Sequence, residues 1–284
     1  MVWLPPTNWQ PTRLMEVAGS ADTSTGVAEV TTDAGRAYLK ALGNRQGPHV
    51  LATDWVGTHL AAWFGLSTFD IAILTLTAED SFPLREHKGT PYTAEPGPAF
   101  VARAESGGPW GCSTQELDNL VNPKDITRLI IFDTWTLNCD RHYPDPDSRK
   151  PNYDNVYLSS EGVTPGKRRL IAMDHGLCFI RSGEDLTRDL DHIDKVKDGR
   201  LYGLFPEFHD RLDQGIIEIC VQRLKEMDAT IADAMIATVP EQWEVPLEAR
   251  QAWSGLICRR ARYVADSVEE WINRAVPWFG TQGG

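Results

Sequence analysis

With 284 residues, 42% of them hydrophobic and 24% charged, the chain has an ordinary globular composition and is long enough for two lobes that each bury a core. A formal net charge of -12 argues against broad, non-specific contact with nucleic acid or anionic membrane, both of which reward Lys and Arg. No run approaches the ~20 apolar residues of a membrane span, the N-terminus lacks the pattern of a secretion signal, and five widely spaced cysteines without a CxxC pair read as buried free thiols in a reducing cytoplasm.

Taken in order, residues 13–17 read as a short strand that breaks at Ala18-Gly19-Ser20. The segment onward to Gly26 is small and polar. Residues 27–32 then alternate like a strand, Asp33-Ala34-Gly35 turns, and residues 36–42 return. A small-residue loop at the mouth of such a hairpin lets backbone N–H groups approach phosphate oxygens, so Gly19, Ser20 and Gly26 are candidate phosphate contacts. Lys40 lies inside the apolar second strand and needs an anionic partner there. The helix predicted from Pro48 to Gly65 offers Asp54, the nearest carboxylate in sequence.

Residues 67–77 form an apolar strand, residues 79–98 an exposed excursion rich in Pro and Gly, and residues 99–103 another strand. The break at Gly107-Gly108-Pro109 divides the chain into residues 1–106 and residues 107–284, and the strand entering it is placed to offer backbone to a nucleotide base. A helix starts at Asn122, with Asn as cap and Pro123 in the first turn. It is apolar nearly all round and delivers the chain to Asn138-Cys139-Asp140-Arg141-His142.

A Pro/Asp-rich insertion at residues 143–151 follows. Residues 156–158 and 170–173 then make two antiparallel strands that place Asn155 and Asp174 at the same end. An Asp on a loop, an Asn leading into a strand and an Asp closing the next strand form the layout that moves the terminal phosphate of ATP. The first carboxylate takes the acceptor's proton, and the amide oxygen and second carboxylate hold Mg²⁺. Asn152 also follows the insertion and competes with Asn155 as the amide ligand. Beyond residue 212 the chain reads as two amphipathic helices, residues 213–236 and 247–276, with Arg259, Arg260 and Arg262 on a solvated face of the second.

The Asn-Cys-Asp-Arg-His run, the Asn before an apolar strand and Ile171-Ala172-Met173-Asp174-His175-Gly176 resemble the HipA-like kinases, which share these D-R-H and D-H-G variants with lipid kinases of the phosphatidylinositol 3/4-kinase type. The Lys40 strand and the helix that carries Asp54 look like the family's N-terminal region, and the resemblance spans residues 12–210. It implies an α+β, bilobal protein-kinase-like fold with an antiparallel-sheet N-lobe and a mostly helical C-lobe. It further implies ATP and Mg²⁺ as cofactors, Lys40 on phosphate, Asp140 as catalytic base, and Asn155 and Asp174 on metal. The family's phosphate loop can be phosphorylated by the enzyme itself; here Ser20, Thr23, Ser24 and Thr25 lie in that segment.

His142 is read as a brace for Asp140 or as packing, and Arg141 as a phosphate ligand or as a counter-charge to loop carboxylates. The leading expectation is a cytoplasmic protein serine/threonine kinase whose partners are a protein substrate and an antitoxin or regulatory protein, with neither membrane nor nucleic acid. A small-molecule or lipid kinase of the same fold and a nucleotide-binding pseudokinase module are the alternatives.

Overall fold

A computed structural model describes residues 9–20, 25–84, 92–145, 147 and 149–277. The N-terminal half is an antiparallel sheet built from β1 (Leu14–Ser20), β2 (Ala28–Thr32), β3 (Gly35–Leu42), β4 (Ile71–Leu76) and a later strand, Glu95–Arg103. Between β4 and that strand, β5 (Pro83–Leu84) and β6 (Tyr92–Thr93) pair as a small ribbon, so Glu95–Arg103 is β7. The sheet order is β1-β2-β3-β7-β4, which puts β3 and its lysine in the interior of the sheet. Side chains on β7 alternate between its two faces. Ala99 and Val101 join an outer cluster with Trp9, Val30, Leu39 and Leu74. Phe100 and Ala102 face the main core.

The predicted excursion at residues 79–98 therefore contains the start of β7, and β1 runs further than its sequence suggests. Gly19 and Ser20 pair with Glu29 and Ala28 on β2, because irregularities at residues 14–16 and 17–19 let the strand continue past the small residues.

Helix α1 (His49–Phe64) is apolar on every side and buried almost throughout, wedged between the sheet and the helices of the second half. It ends at Gly65, whose left-handed conformation (φ 91°) lets Leu66 N–H reach back to Ala61 O at 3.0 Å. The second half contains β8 (Gly107–Pro109), α2 (Thr114–Leu117), α3 (Asp125–Thr136), β9 (Val156–Ser159), β10 (Arg169–Ala172), α4 (Ile193–Val196), α5 (Gln214–Lys225), α6 (Ala229–Ile236) and α7 (Leu247–Ala275). Strands β10, β9 and β8 form a second sheet in that order.

The link between the halves is short and pinned on both sides. Ala104 N–H donates to Arg36 O in the first sheet at 3.0 Å, and Ser160 N–H donates to Ser106 O from the second half at 2.7 Å. Glu105, between them, accepts Arg169 Nη2 at 2.9 Å on its carboxylate and Tyr157 OH at 2.7 Å on its carbonyl.

Several local readings change. Asn122 does not cap α3; its amide donates to Leu170 O (2.9 Å) and accepts Leu170 N–H (2.8 Å), and α3 begins at Asp125. The pattern at residues 213–236 is two helices, because the Asp228 side chain accepts Ile231 N–H at 3.0 Å and starts a new one. Arg260 lies off the solvated face of α7 and is fully buried. It donates to the carbonyls of Thr134 and Trp135 at the end of α3, and to those of Lys195 and Asp198. Four cysteines are buried and Cys112 is exposed.

One buried group gives the fold a pH dependence. His59 on α1 packs edge-on against Trp55, neither ring nitrogen has a hydrogen-bond partner, and burial lowers its pKa to about 4. The unfolded chain takes up a proton as pH falls through about 6.5, whereas the folded chain resists until about 4, so this group removes stability across that window and none above it. His59→Leu is expected to be more stable than wild type by about 2–3 kcal/mol near pH 4.5. Urea midpoints at pH 4.5 and 7.5 check this; the gain must shrink at the higher pH.

Candidate active site

Between the two halves lies a cleft of about 400 Å³. Its apolar walls include Phe69, Ile71, Phe100, Ala102 and Tyr157, and its polar end carries Lys40, Asp54, Asn155 and Asp174. Apolar walls with a few convergent charges are the form a site for a flat base and a phosphate tail takes.

Lys40 answers the requirement for a partner twice. Its Nζ lies 2.6 Å from Asp54 Oδ2 and 2.8 Å from Asp174 Oδ1. Burial alone would lower the ammonium's pKa, but the two carboxylates outweigh it and the net shift is upward. Burial raises Asp54, offset in part by Lys40. For Asp174 the same burial is overcome by Lys40, and its pKa is lowered. Asp174, 29% exposed, is the member of the trio with charge to offer the cleft. An Asp on α1 reaches Lys40 without difficulty because α1 sits close to the Asp174-His175-Gly176 turn. Asp54 Oδ1 accepts His175 N–H at 2.9 Å, Thr53 Oγ1 donates to Gly176 O at 2.6 Å, and Thr58 Oγ1 lies 3.1 Å from His175 Nδ1.

The second polar group forms where α3 ends. Leu137 adopts a left-handed conformation (φ 56°) and turns the chain out of the helix. Asn138 Oδ1 then accepts Asp140 N–H at 3.1 Å and orients the loop. Asp140 Oδ2 accepts Asn155 Nδ2 at 2.8 Å, and Asp140 Oδ1 is ion-paired to Arg149. Burial raises the Asp140 pKa and the Asp174 charge adds to that, opposed by Arg149 and Asn155.

Arg141 contacts neither the cleft nor a loop carboxylate of the insertion. Fully buried, it pairs with Asp133 on α3 (Nε to Oδ2, 2.8 Å) and donates Nη1 to the carbonyls of Asn155 and Met173, the latter at 2.8 Å. It is a positioning residue that fixes the spacing of the chain segments bearing Asn155 and Asp174. His142 packs edge-on against Phe205 at 5.2 Å, and burial lowers its pKa; its backbone carbonyl accepts Gly203 N–H at 2.9 Å. It braces the loop through packing and backbone.

Of the two candidate amides, Asn155 lines the cleft and Asn152 does not; Asn152 instead holds the loop, its N–H donating to Arg141 O at 2.8 Å. Gly19 and Gly26 are not among the described lining residues, although Val27 next to Gly26 is. Thr23 and Ser24 lie outside the described residues. Thr25 is buried.

Three participants were not singled out in the sequence. Asp133 is the one carboxylate within the apolar stretch of α3, a legible anomaly. Arg149 lies in the insertion, where no pattern marks it. Asp154 lines the cleft one residue before Asn155.

The donor set fits Mg²⁺ held jointly with phosphate. Asn155 gives Nδ2 to Asp140, which leaves its amide oxygen free, and Asp174 supplies a carboxylate beside it. No group of three or more His, Cys, Asp or Glu side chains that would hold a metal on its own occurs among the described residues.

A five-stranded sheet carrying a lysine paired to a helix acid, over a helical half that carries the Asp140, Asn155 and Asp174 loops, defines the protein-kinase-like class. A family model described as HipA-like kinase matches residues 29–265, and the chain belongs to that family. The crystal structure of CtkA, a proinflammatory kinase of Helicobacter pylori, is similar with a TM-score of 0.54 at 11% identity, covering 95% of this chain and 99% of that one. An aminoglycoside phosphotransferase from Alicyclobacillus acidocaldarius covers 91% of this chain and 93% of its own at 11% identity, but its TM-score of 0.27 carries no weight. No curated protein matches in sequence. No helix among the described residues is long and apolar enough to cross a membrane.

The close approach of α1 to the Asp174 turn requires Gly57, where an added Cβ would meet His175 Cβ at 2.5 Å. Gly57→Ala is expected to lose about 1–3 kcal/mol of stability through this overpacking. Urea unfolding checks it: the midpoint falls with an unchanged slope.

Proposed function

We propose that this protein transfers the γ-phosphoryl group of ATP to a serine or threonine hydroxyl of a protein. The observation that carries the reading is one cleft lined by Lys40, Asp54, Asn155 and Asp174, in which Lys40 is tied to both carboxylates and Asn155 donates from Nδ2 to Asp140 behind it. Retention of Lys40, Asp140, Asn155 and Asp174 together supports a transferase over a pseudokinase, which would not require all four.

In this reading the base lies between the apolar walls near Phe100 and Ala102, and Lys40 draws the phosphates toward the polar end. Asn155 and Asp174 are the residues that would hold Mg²⁺, whose charge would offset that of the phosphates. Asp140 accepts the proton of the acceptor hydroxyl as the acceptor oxygen bonds to the γ-phosphorus and the bond from that phosphorus to the bridging oxygen breaks, ADP leaving with the electron pair. Asn155, through Nδ2, keeps the Asp140 carboxylate turned toward that hydroxyl.

We further propose that a hydroxyl among Ser20, Thr23, Ser24 and Thr25 is an autophosphorylation site, since added negative charge would oppose closure of a phosphate-binding loop. Thr25 is the weakest candidate because it is buried. A protein regulator or antitoxin as partner, and a cytoplasmic location in keeping with free thiols, belong to the same reading.

Asp140→Asn is expected to lower transfer to a protein acceptor about 10²–10⁴-fold while nucleotide affinity changes little. Labelled ATP in a cell extract together with a fluorescent-nucleotide titration checks both; undiminished transfer overturns the assignment. Intact-mass analysis after incubation with ATP and Mg²⁺ is expected to show added phosphate mapping to residues 20–25, and a mass gain mapping elsewhere overturns that part.

A further inference from the structure

At the end of the cleft beside the link, the wall is made of tyrosines. Tyr38 on β3 and Tyr157 on β9 line the cleft from opposite halves. Phe69 packs against both, its ring centroid 6.3 Å from that of Tyr38 and 5.1 Å from that of Tyr157. The Tyr157 hydroxyl donates to Glu105 O at 2.7 Å. Burial raises its pKa, and the Tyr38 hydroxyl lying against it raises it further. With its proton on Glu105, Tyr157 is left as an acceptor, and Tyr38 carries the side-chain O–H donor at this end.

Strand register puts Tyr38 where a base would sit. Tyr38 and Lys40 share one face of β3, two residues and about 7 Å apart. Tyr38 stands opposite Ala102 on β7, as Lys40 stands opposite Phe100. Phosphates drawn to Lys40 therefore leave the base against Ala102 and within reach of Tyr38. The amides of the link are largely committed elsewhere. Arg103 N–H donates to Asp70 O at 2.8 Å, Ala104 N–H to Arg36 O at 3.0 Å and Ser106 N–H to the Glu161 carboxylate at 3.3 Å.

Which group reads the base decides which base is accepted. A carbonyl only accepts and an amide only donates, so a pair of them suits adenine, with its amino donor and ring-nitrogen acceptor; guanine presents the reverse. A hydroxyl does either. Facing adenine, Tyr38 donates to a ring nitrogen. Facing guanine, it donates to O6, or turns its proton to Tyr157 and accepts from N1–H. We propose that Tyr38 is a specificity-determining residue that reads the purine edge through its hydroxyl, with Tyr157 as its alternative partner, so that the cleft admits adenine and guanine nucleoside triphosphates alike. The inference rests on the cleft being a nucleotide site, as proposed above.

The test compares wild type, Tyr38→Phe and Tyr157→Phe, each first shown to melt as a folded protein; Tyr38→Phe keeps the ring that packs on Phe69. Dissociation constants for ATP, GTP and tripolyphosphate, each with Mg²⁺, are measured by displacement of a fluorescent ATP analogue, and phosphoryl transfer is measured separately. Wild type is expected to bind ATP and GTP within about tenfold of each other. Tyr38→Phe is expected to weaken both by about 3–10-fold and to leave tripolyphosphate, which has no base, unchanged. Tyr157→Phe uncovers Glu105 O, which only accepts, and is expected to raise the preference for ATP over GTP by about tenfold.

A wild-type preference for ATP beyond that range overturns the inference and leaves the cleft as a nucleotide site. So does a Tyr38→Phe protein that binds both nucleotides as wild type does. Tripolyphosphate affinity lost together with the nucleotides in Tyr38→Phe marks a structural role for the hydroxyl and overturns base reading as well. The expected binding pattern without phosphoryl transfer supports the inference and overturns only the transferase reading. Wild-type protein that binds neither nucleotide overturns the nucleotide site, and the inference falls with it.

Discussion

The molecule depends on one ammonium placed between two carboxylates. Lys40 from the sheet joins Asp54 from α1 and Asp174 from the turn after β10, so three elements meet at one buried point. Two anions and one cation out of water are tolerable only with close geometry and with further donors for the remaining lone pairs. His175 N–H supplies one of those donors to Asp54. The turn around Asp174 is thus fixed to α1 by Asp54, Thr53 and Thr58 together, and the sheet is brought into register with it by Lys40. Removing the lysine would leave two like charges facing each other at low dielectric, so both the position of α1 and the shape of the cleft hang on it.

Arg141 does on the other side of the site what Lys40 does on this one. A buried guanidinium has five donors in a rigid plane, and here they span an α3 carboxylate and two carbonyls, one on each arm of the hairpin. The distance between Asn155 and Asp174 is therefore set by a side chain that contacts no ligand. Lysine at this position would keep the charge and lose the span.

Much of this was legible from the chain. The order Asp140, Asn155, Asp174 stands out because polar residues with oxygen ligands interrupt apolar segments at strand and helix ends, where backbone geometry is least free. Lys40 and Asp54 were legible as a charge inside a strand and the next carboxylate on a helix. Local pattern failed where a contact is long-range. Whether Arg141 or Arg260 points to solvent or to buried carbonyls depends on elements far away in sequence, Met173 in one case and Trp135 in the other. Gly19 and Ser20 looked like loop because small residues break strands on average; the irregular pairing with β2 keeps them in the sheet. Arg149 carries no periodic or motif signal, and only the fold of the insertion brings it to Asp140.

The link between the halves bears on how the cleft keeps its shape. Ala104 is fastened to the sheet, whereas Ser106 and both the carbonyl and the carboxylate of Glu105 are fastened to the second half. The link is not the sole join: α1, Phe100 and Ala102 share one core with the helices of the second half, and Trp243 Nε1 donates to Pro98 O at 2.9 Å. Sheet, α1 and helices thus make a continuous back wall, and the cleft is a notch cut into one packed block.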